Sequence, residues 1–331
     1  MAYARALAKF LEHDGDLEVV AICPSGEDAL RELNVLAPDL VTMDLEMPGM
    51  GGVRATEEIM RARPTPILVV SAHAGKGSER AAEALAAGAL EVLAKDGLRL
   101  DRADDVWARA VRSRVRRLAS VRLGGRRDPA PSDAERDPVP APTRAARVIG
   151  VGASAGGPPA LVTVFSRIPV AFQVPIVVVQ HIATGFIEGL IHWLDQQIEA
   201  PVRIASESGR VEPGVWFAPD GAHLLIDPSM RFALDDTTPA RHRPSADVLL
   251  ESIAHSAGEA GVGVILTGMG DDGRAGVEAI IATGGLAIAQ DEASSAVYGM
   301  PHAAARAGAA SMPVEDIGAA LGQLRVVRDR A

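Results

Sequence analysis

Short apolar runs alternate with amphipathic stretches along nearly the whole chain. In MAYARALAKFLE, residues 1–12, Tyr3, Leu7 and Phe10/Leu11 recur at helical spacing and mark one buried face. LEVVAIC (17–23) is a continuous apolar run and predicts a strand. SGEDALRELNVL (25–36) predicts a helix with Ser25 as its N-cap. The alternation continues with strands DLVTMD (39–44), PILVVS (66–71) and LEVLAK (90–95). Helices GGVRATEEIMRA (51–62) and SERAAEALAAG (78–88) lie between them, and DDVWARAVRSRVRRLASV (104–121) closes the series. Such alternation predicts a parallel sheet, whose working residues lie at the carboxyl ends of its strands. Those ends carry Asp44, Ser71 and Lys95.

The pattern then breaks. Residues 122–147, RLGGRRDPAPSDAERDPVPAPTRAAR, hold five prolines, many charges and almost no large apolar residue, which predicts an extended linker. Alternation resumes at 148. The expected organisation is two doubly wound α/β parallel-sheet domains, 1–121 and 148–331, joined by that linker. No apolar run is long enough for a membrane span, and the start lacks a signal peptide's apolar core. With a single cysteine, Cys23, no internal disulfide is possible, and its apolar setting predicts a buried small hydrophobe. A cytoplasmic protein is expected. The net charge of −10 argues against general nucleic-acid binding. The charge is uneven: −3 over 1–121, +2 over 122–147 and −9 over 148–331. The last segment has no lysine, so it cannot supply the lysine of a nucleotide-binding P-loop.

One Asp, one hydroxyl and one Lys at three strand ends resemble a response-regulator receiver domain. The matching stretches are PDLVTMDLEMPGMGG and PILVVSAHAGKGSERAAEALAAGALEVLAKD. The resemblance implies a flavodoxin-like fold with Asp44 as phosphoacceptor, Ser71 as switch hydroxyl and Lys95 as phosphate-binding lysine, working with Mg2+. There are departures. The chain begins at the helix after the family's first strand, so that strand and its acidic, metal-holding pair are missing. The family's Lys-Pro is here Lys95-Asp96. Either the start lies downstream of the true one or the receiver is degenerate, and the chain as written is expected to phosphorylate poorly.

The turn VIGVGASAGG, 148–157, fits two motifs at once. As a dinucleotide fingerprint it lacks an acidic residue at the end of the next strand, VPIVVVQH (174–181), which ends in Gln180 and His181. As an α/β-hydrolase elbow it sits on the first strand of its domain, and only His302 follows the candidate acids. A third reading pairs Ser154 with His181, since consecutive parallel strands are often neighbours. The strand GVGVILTGMGDDG (261–273) brings Asp271 or Asp272 as the orienting carboxylate. Gly152 and Gly156 would give the turn its room. Backbone N–H groups after Ser154, at Ala155, and near Met269 could hold an oxyanion.

The stretches VIGVGASAGGPPAL, PIVVVQHIATGF, RHRPSADVLLESIA, GVGVILTGMGDDGRAG and AIAQDEASSAVYGMPHAA resemble, in order, the catalytic domain of chemotaxis protein-glutamate methylesterases, the CheB family. The resemblance implies a Rossmann-like domain with Ser154 as nucleophile, His181 as base and Asp272 as third member. Asp271 would be incidental, Met269 a backbone oxyanion donor and Arg243 a residue of the substrate rim. It implies demethylation of γ-glutamyl methyl esters on chemoreceptors, with glutamine deamidation as a second activity. Catalysis would need no metal or cofactor, and a chemotaxis histidine kinase would be the phosphodonor. The rival from another class is a non-catalytic module that binds receptor or kinase.

Overall fold

A computed structural model describes residues 2–71, 76–95, 106–123 and 144–327. Asp96 and most of the expected linker, 124–143, lie outside them. The chain divides into two compact units, Met1–Leu123 and Gly124–Ala331.

In the first unit, helices α1 (Ala2–Leu11), α2 (Gly26–Leu36), α3 (Gly51–Ala62), α4 (Lys76–Ala86) and α5 (Val106–Ala119) accompany strands β1 (Val41–Asp44), β2 (Ile67–Ser71) and β3 (Glu91–Ala94). The strands form a parallel sheet in the order β1-β2-β3. The middle strand is buried at every position, as a strand covered on both faces should be. Ser25 caps α2 by accepting the Asp28 N–H, the position its sequence predicts. Arg112, fully buried, and Arg116 both donate to Asp14, tying α5 to the turn after α1.

One expected strand does not form. Residues 17–23 carry no strand, although LEVVAIC has strand-like composition. A strand exists only where a neighbour completes its hydrogen-bond ladder. Among the described residues no strand lies beside the outer edge of β1, and this segment does not pair with that edge. Val20 is 47% exposed and Cys23 only half-buried, not the buried hydrophobe its setting predicts.

The second unit is built on seven parallel strands: β5 (Val148–Ala153), β6 (Ile176–Gln180), β7 (Val202–Ile204), β8 (Val215–Phe217), β11 (Gly261–Ile265), β12 (Leu286–Gln290) and β13 (Ala310–Met312). Their order is β13-β12-β11-β5-β6-β8-β7. The chain leaves β5 on one side through β6, β8 and β7, then returns to its other side at β11. That reversal puts a crevice at the carboxyl end of β5, where such sheets bind ligands. An antiparallel pair, β9 (His223–Ile226) and β10 (Phe232–Asp235), packs beside helix α8 (Ala246–Ala257). Helices α6 (Gly157–Phe165), α7 (Ile187–Asp195), α9 (Arg274–Ala282), α10 (Met300–Arg306) and α11 (Val314–Gly322) complete the layers.

The linker ends earlier than its composition suggests. Strand β4 (Ala145–Ala146) pairs in parallel with β14 (Arg325–Val326), Ala146 is fully buried, and the Arg147 N–H donates to Ala260 O. Two small apolar residues suffice here because the ladder, not side-chain bulk, holds them.

Candidate active site

Ser154 follows β5 directly and His181 follows β6. These strands are neighbours, with Ala153 opposite Gln180, so the two side chains leave the same sheet edge one residue further on. The His181 N–H closes that register on Ala153 O at 2.9 Å. Asp272 comes from the loop after β11, on the other side of β5. Three strand ends thus meet around one point.

The turn after Ser154 is tight. Gly157 N–H donates to Ser154 O, and Gly156 sits at φ +75°, a left-handed conformation suited to glycine. Pro158 and Pro159 then open α6, where a missing N–H does no harm. Gly152 acts differently from expectation. It lies within β5, not in the turn, and a methyl group there would come within 2.7 Å of Ala246 Cβ. With Gly150, whose added methyl would meet Leu250 and Ile253, it lets α8 pack closely on β5. The glycines that suggest a phosphate cradle are therefore a helix-packing surface and a turn.

The backbone around Ser154 is fastened by buried polar side chains. The Ser154 N–H donates to Thr267 O. Thr267 donates its hydroxyl to Ala155 O, and Gln180 donates its amide to both Ser154 O and His181 O. Gln290, at the end of β12, accepts the Thr267 N–H. Among the described residues, the N–H groups of Ala155 and Met269 donate to no acceptor. Both stand next to Ser154: Ala155 in sequence, and Met269 through Gly268, where an added methyl would lie 2.8 Å from Ser154 Cβ.

Asp272 is the most heavily bonded group of the site. Its Oδ1 accepts from Ser245 Oγ at 2.7 Å and Asp247 N at 3.1 Å. Its Oδ2 accepts from Ala246 N at 2.7 Å and pairs with His181 Nε2 at 2.8 Å. Ala246 and Asp247 form the first turn of α8, whose unpaired N–H groups and positive end favour a carboxylate. Burial alone would raise the Asp272 pKa, but the bonds from His181, Ser245 and Ala246 outweigh it and hold the acid well below the usual carboxylate range. With Nε2 committed to Asp272, the other ring nitrogen of His181, Nδ1, is buried and has no hydrogen-bond partner. No hydrogen bond links it to Ser154 Oγ among the described residues.

Arg243 is exposed, in the segment between His242 and Ser245, and reaches Thr238 O at 3.4 Å. Its neighbours do more at the site. His242 stacks on His181 with ring centroids 4.3 Å apart, and Ser245 holds Asp272. Both lie in RHRPSAD, singled out for its arginine alone; nothing in sequence separates a ring that stacks from one that faces solvent. Asp271 is exposed, and His302, exposed on α10, contacts Tyr298.

In the first unit Lys95 Nζ lies 2.7 Å from both carboxylate oxygens of Asp44, and Ser71 is buried at the end of β2. Asp44 Oδ1 also accepts the Glu46 N–H. No group of three or more His, Cys, Asp or Glu side chains stands ready to hold a metal among the described residues. Asp44 offers one carboxylate toward the expected Mg2+, an ion that commonly takes its remaining oxygens from water and phosphate.

Residues 149–321 match the family model for CheB methylesterase, and residues 2–101 that for a response regulator receiver domain. A protein-glutamate methylesterase/protein-glutamine glutaminase of Myxococcus xanthus is 40% identical over 91% of this chain and 84% of its own length. One from Anaeromyxobacter dehalogenans is 39% identical over 97% of this chain and 94% of its own. The crystal structure of the Thermotoga maritima CheB methylesterase catalytic domain superposes with a TM-score of 0.51 at 34% identity, covering 54% of this chain and 97% of that one.

Proposed function

The chain belongs to the CheB methylesterase family, with a response-regulator receiver domain ahead of its catalytic domain, and we propose that Ser154, His181 and Asp272 carry out its ester hydrolysis. The observation that carries this reading is the state of His181. Asp272 takes one ring nitrogen and leaves the other, Nδ1, as a buried base at the strand end beside Ser154.

The substrate is the γ-methyl ester of a glutamate on a chemoreceptor. His181 Nδ1 takes the Ser154 Oγ proton as Oγ attacks the ester carbonyl. Charge develops on the carbonyl oxygen, and the Ala155 and Met269 N–H groups are the donors that receive it. The tetrahedral intermediate expels methoxide, which leaves as methanol with the proton from Nδ1. Water, giving its proton to Nδ1, then attacks the acyl-Ser154 ester; collapse releases glutamate and returns that proton to Oγ. Asp272 stabilises the imidazolium in both halves. A glutamine side chain presents the same carbonyl, so the same steps release ammonia and give deamidation. Every proton moves between chain, water and substrate, and the scheme calls on no cofactor. Arg243, exposed beside His242, belongs to the rim that receives the receptor segment.

In the receiver, Asp44 is the phosphoacceptor for a chemotaxis histidine kinase, Lys95 its counter-charge and Ser71 its switch hydroxyl. Action in the cytoplasm is part of the same reading; no helix among the described residues is long and apolar enough to cross a membrane.

The test is methanol release from methylated receptor. Ser154→Ala and His181→Ala should each abolish it. Release at the unsubstituted rate from either variant would end the assignment.

A further inference from the structure

Two helix starts face each other at Asp272. α9 begins at Arg274, with Gly273 as N-cap, and Asp272 just precedes it. Asp272 accepts the N–H groups of Ala246 and Asp247, in the first turn of α8. In return, Asp247 Oδ1 accepts the N–H of Gly276, in the first turn of α9, at 2.9 Å. Each helix start is thus capped by a carboxylate carried on the other. First-turn N–H groups need acceptors, and two positive helix ends brought together need negative charge between them. The approach is close: a methyl group at Gly276 would lie 2.5 Å from Leu250 Cβ and 3.1 Å from Asp247 O. Burial and the nearby Asp272 push the Asp247 carboxyl up to about 6, despite the Gly276 bond.

We propose that Asp247 is a positioning residue for the ester hydrolysis: by capping α9 while Asp272 caps α8, it locks the two helix starts together and fixes the Asp272 carboxylate against His181. The inference rests on the Ser154–His181–Asp272 reading. Asp247 itself touches neither substrate nor reacting atoms.

Asp247→Ala removes the acceptor of the Gly276 N–H and frees the loop that carries Asp272. Asp247→Asn keeps an oxygen for Gly276 and adds a donor that can face Asp272. The full chain is assayed for kcat and KM of methanol release from methylated receptor, and for covalent labelling of Ser154 by a fluorophosphonate probe. Both are read per folded molecule, below the measured melting transition. Asp247→Ala should lower kcat about 10-fold or more with KM within about twofold, because a small misplacement of catalytic groups has that effect. Asp247→Asn should recover kcat to within about threefold of the unsubstituted protein. Should the alanine variant fail to fold, Asp247→Glu takes its place. It keeps the charge but is one methylene too long to cap α9 without moving Asp272, and should also lower kcat.

A lowered melting temperature with kcat unchanged in Asp247→Ala, or kcat unchanged in Asp247→Glu, would overturn the inference and reduce Asp247 to a structural cap. An inactive Ser154→Ala beside a fully active Asp247→Ala would overturn this inference and leave the triad standing. An active Ser154→Ala would overturn both.

Discussion

Replacing Asp272 by Asn should disable the site in a way the hydrogen-bond pattern makes unavoidable. All four groups around the carboxylate donate in the folded state: Ser245 Oγ, Asp247 N, Ala246 N and His181 Nε2. An amide has one acceptor end. If its nitrogen takes the Oδ1 position, the Ser245 hydroxyl can rotate to accept, but the Asp247 N–H faces another donor. If it takes the Oδ2 position, the Ala246 N–H loses its acceptor and His181 Nε2 must accept instead. The ring proton then moves to Nδ1, the atom that has to be free to take the Ser154 proton. Either way at least one buried N–H is stranded, a loss of about 1–3 kcal/mol of stability. Either way the negative charge beside the developing imidazolium is gone. For unit charges ~4 Å apart at an effective dielectric of ~20 that charge is worth about 4 kcal/mol. This corresponds to about a thousandfold in kcat. Steady-state methanol release and calorimetric unfolding of the same preparation measure both. A variant whose kcat stays within about threefold would refute the reasoning, because the carboxylate would then be a helix cap and no more.

Gly268→Ala would set a methyl group against Met300 Sδ and 2.8 Å from Ser154 Cβ. It should displace the nucleophile, with kcat falling about 10-fold or more and stability falling by about 1–3 kcal/mol; single-turnover acylation on the folded variant would show whether the catalytic loss lies in attack. In acid, the depressed Asp272 pKa predicts stability that is present above the ordinary carboxylate value and is lost as pH falls below it. Asp247 acts in the opposite sense. With its pKa raised to about 6, folding favours the neutral acid, so stability is lost as pH rises from the ordinary value through about 6. Asp247→Asn should therefore flatten the urea-unfolding profile between the ordinary carboxylate value and about pH 6, by about 1 kcal/mol once partial exposure is discounted; an unchanged slope would contradict it. In the receiver, Asp44 should take up little label from a small phosphodonor with Mg2+, because its contacts to Lys95 must loosen before one of its oxygens can attack; rapid stoichiometric labelling would contradict that.

Much of this protein is decided locally and could be read along the chain. Apolar runs set between helical patterns gave the parallel sheets, because each strand carries its own burial pattern whatever its neighbours are. Ser154, His181, Asp44, Ser71 and Lys95 stood out because strand ends are where a parallel sheet exposes chemistry, and strand ends are visible in sequence; the glycine-rich turn after β11 left Asp271 or Asp272 open, and only the resemblance to the CheB family chose between them. What the tertiary structure alone decided is pairing. LEVVAIC has the composition of a strand and forms none, since a ladder needs a second strand. Ala145–Ala146 has almost no composition to mark it and forms one, since β14 lies alongside. Gly150 and Gly152 belong to the approach of α8, a helix about a hundred residues later. Which ring nitrogen of His181 remains free follows from Asp272, and the orientation of Asp272 follows from the start of α8. Hydrogen bonds between distant segments are directional and depend on the final packing, so no local pattern of residues encodes them.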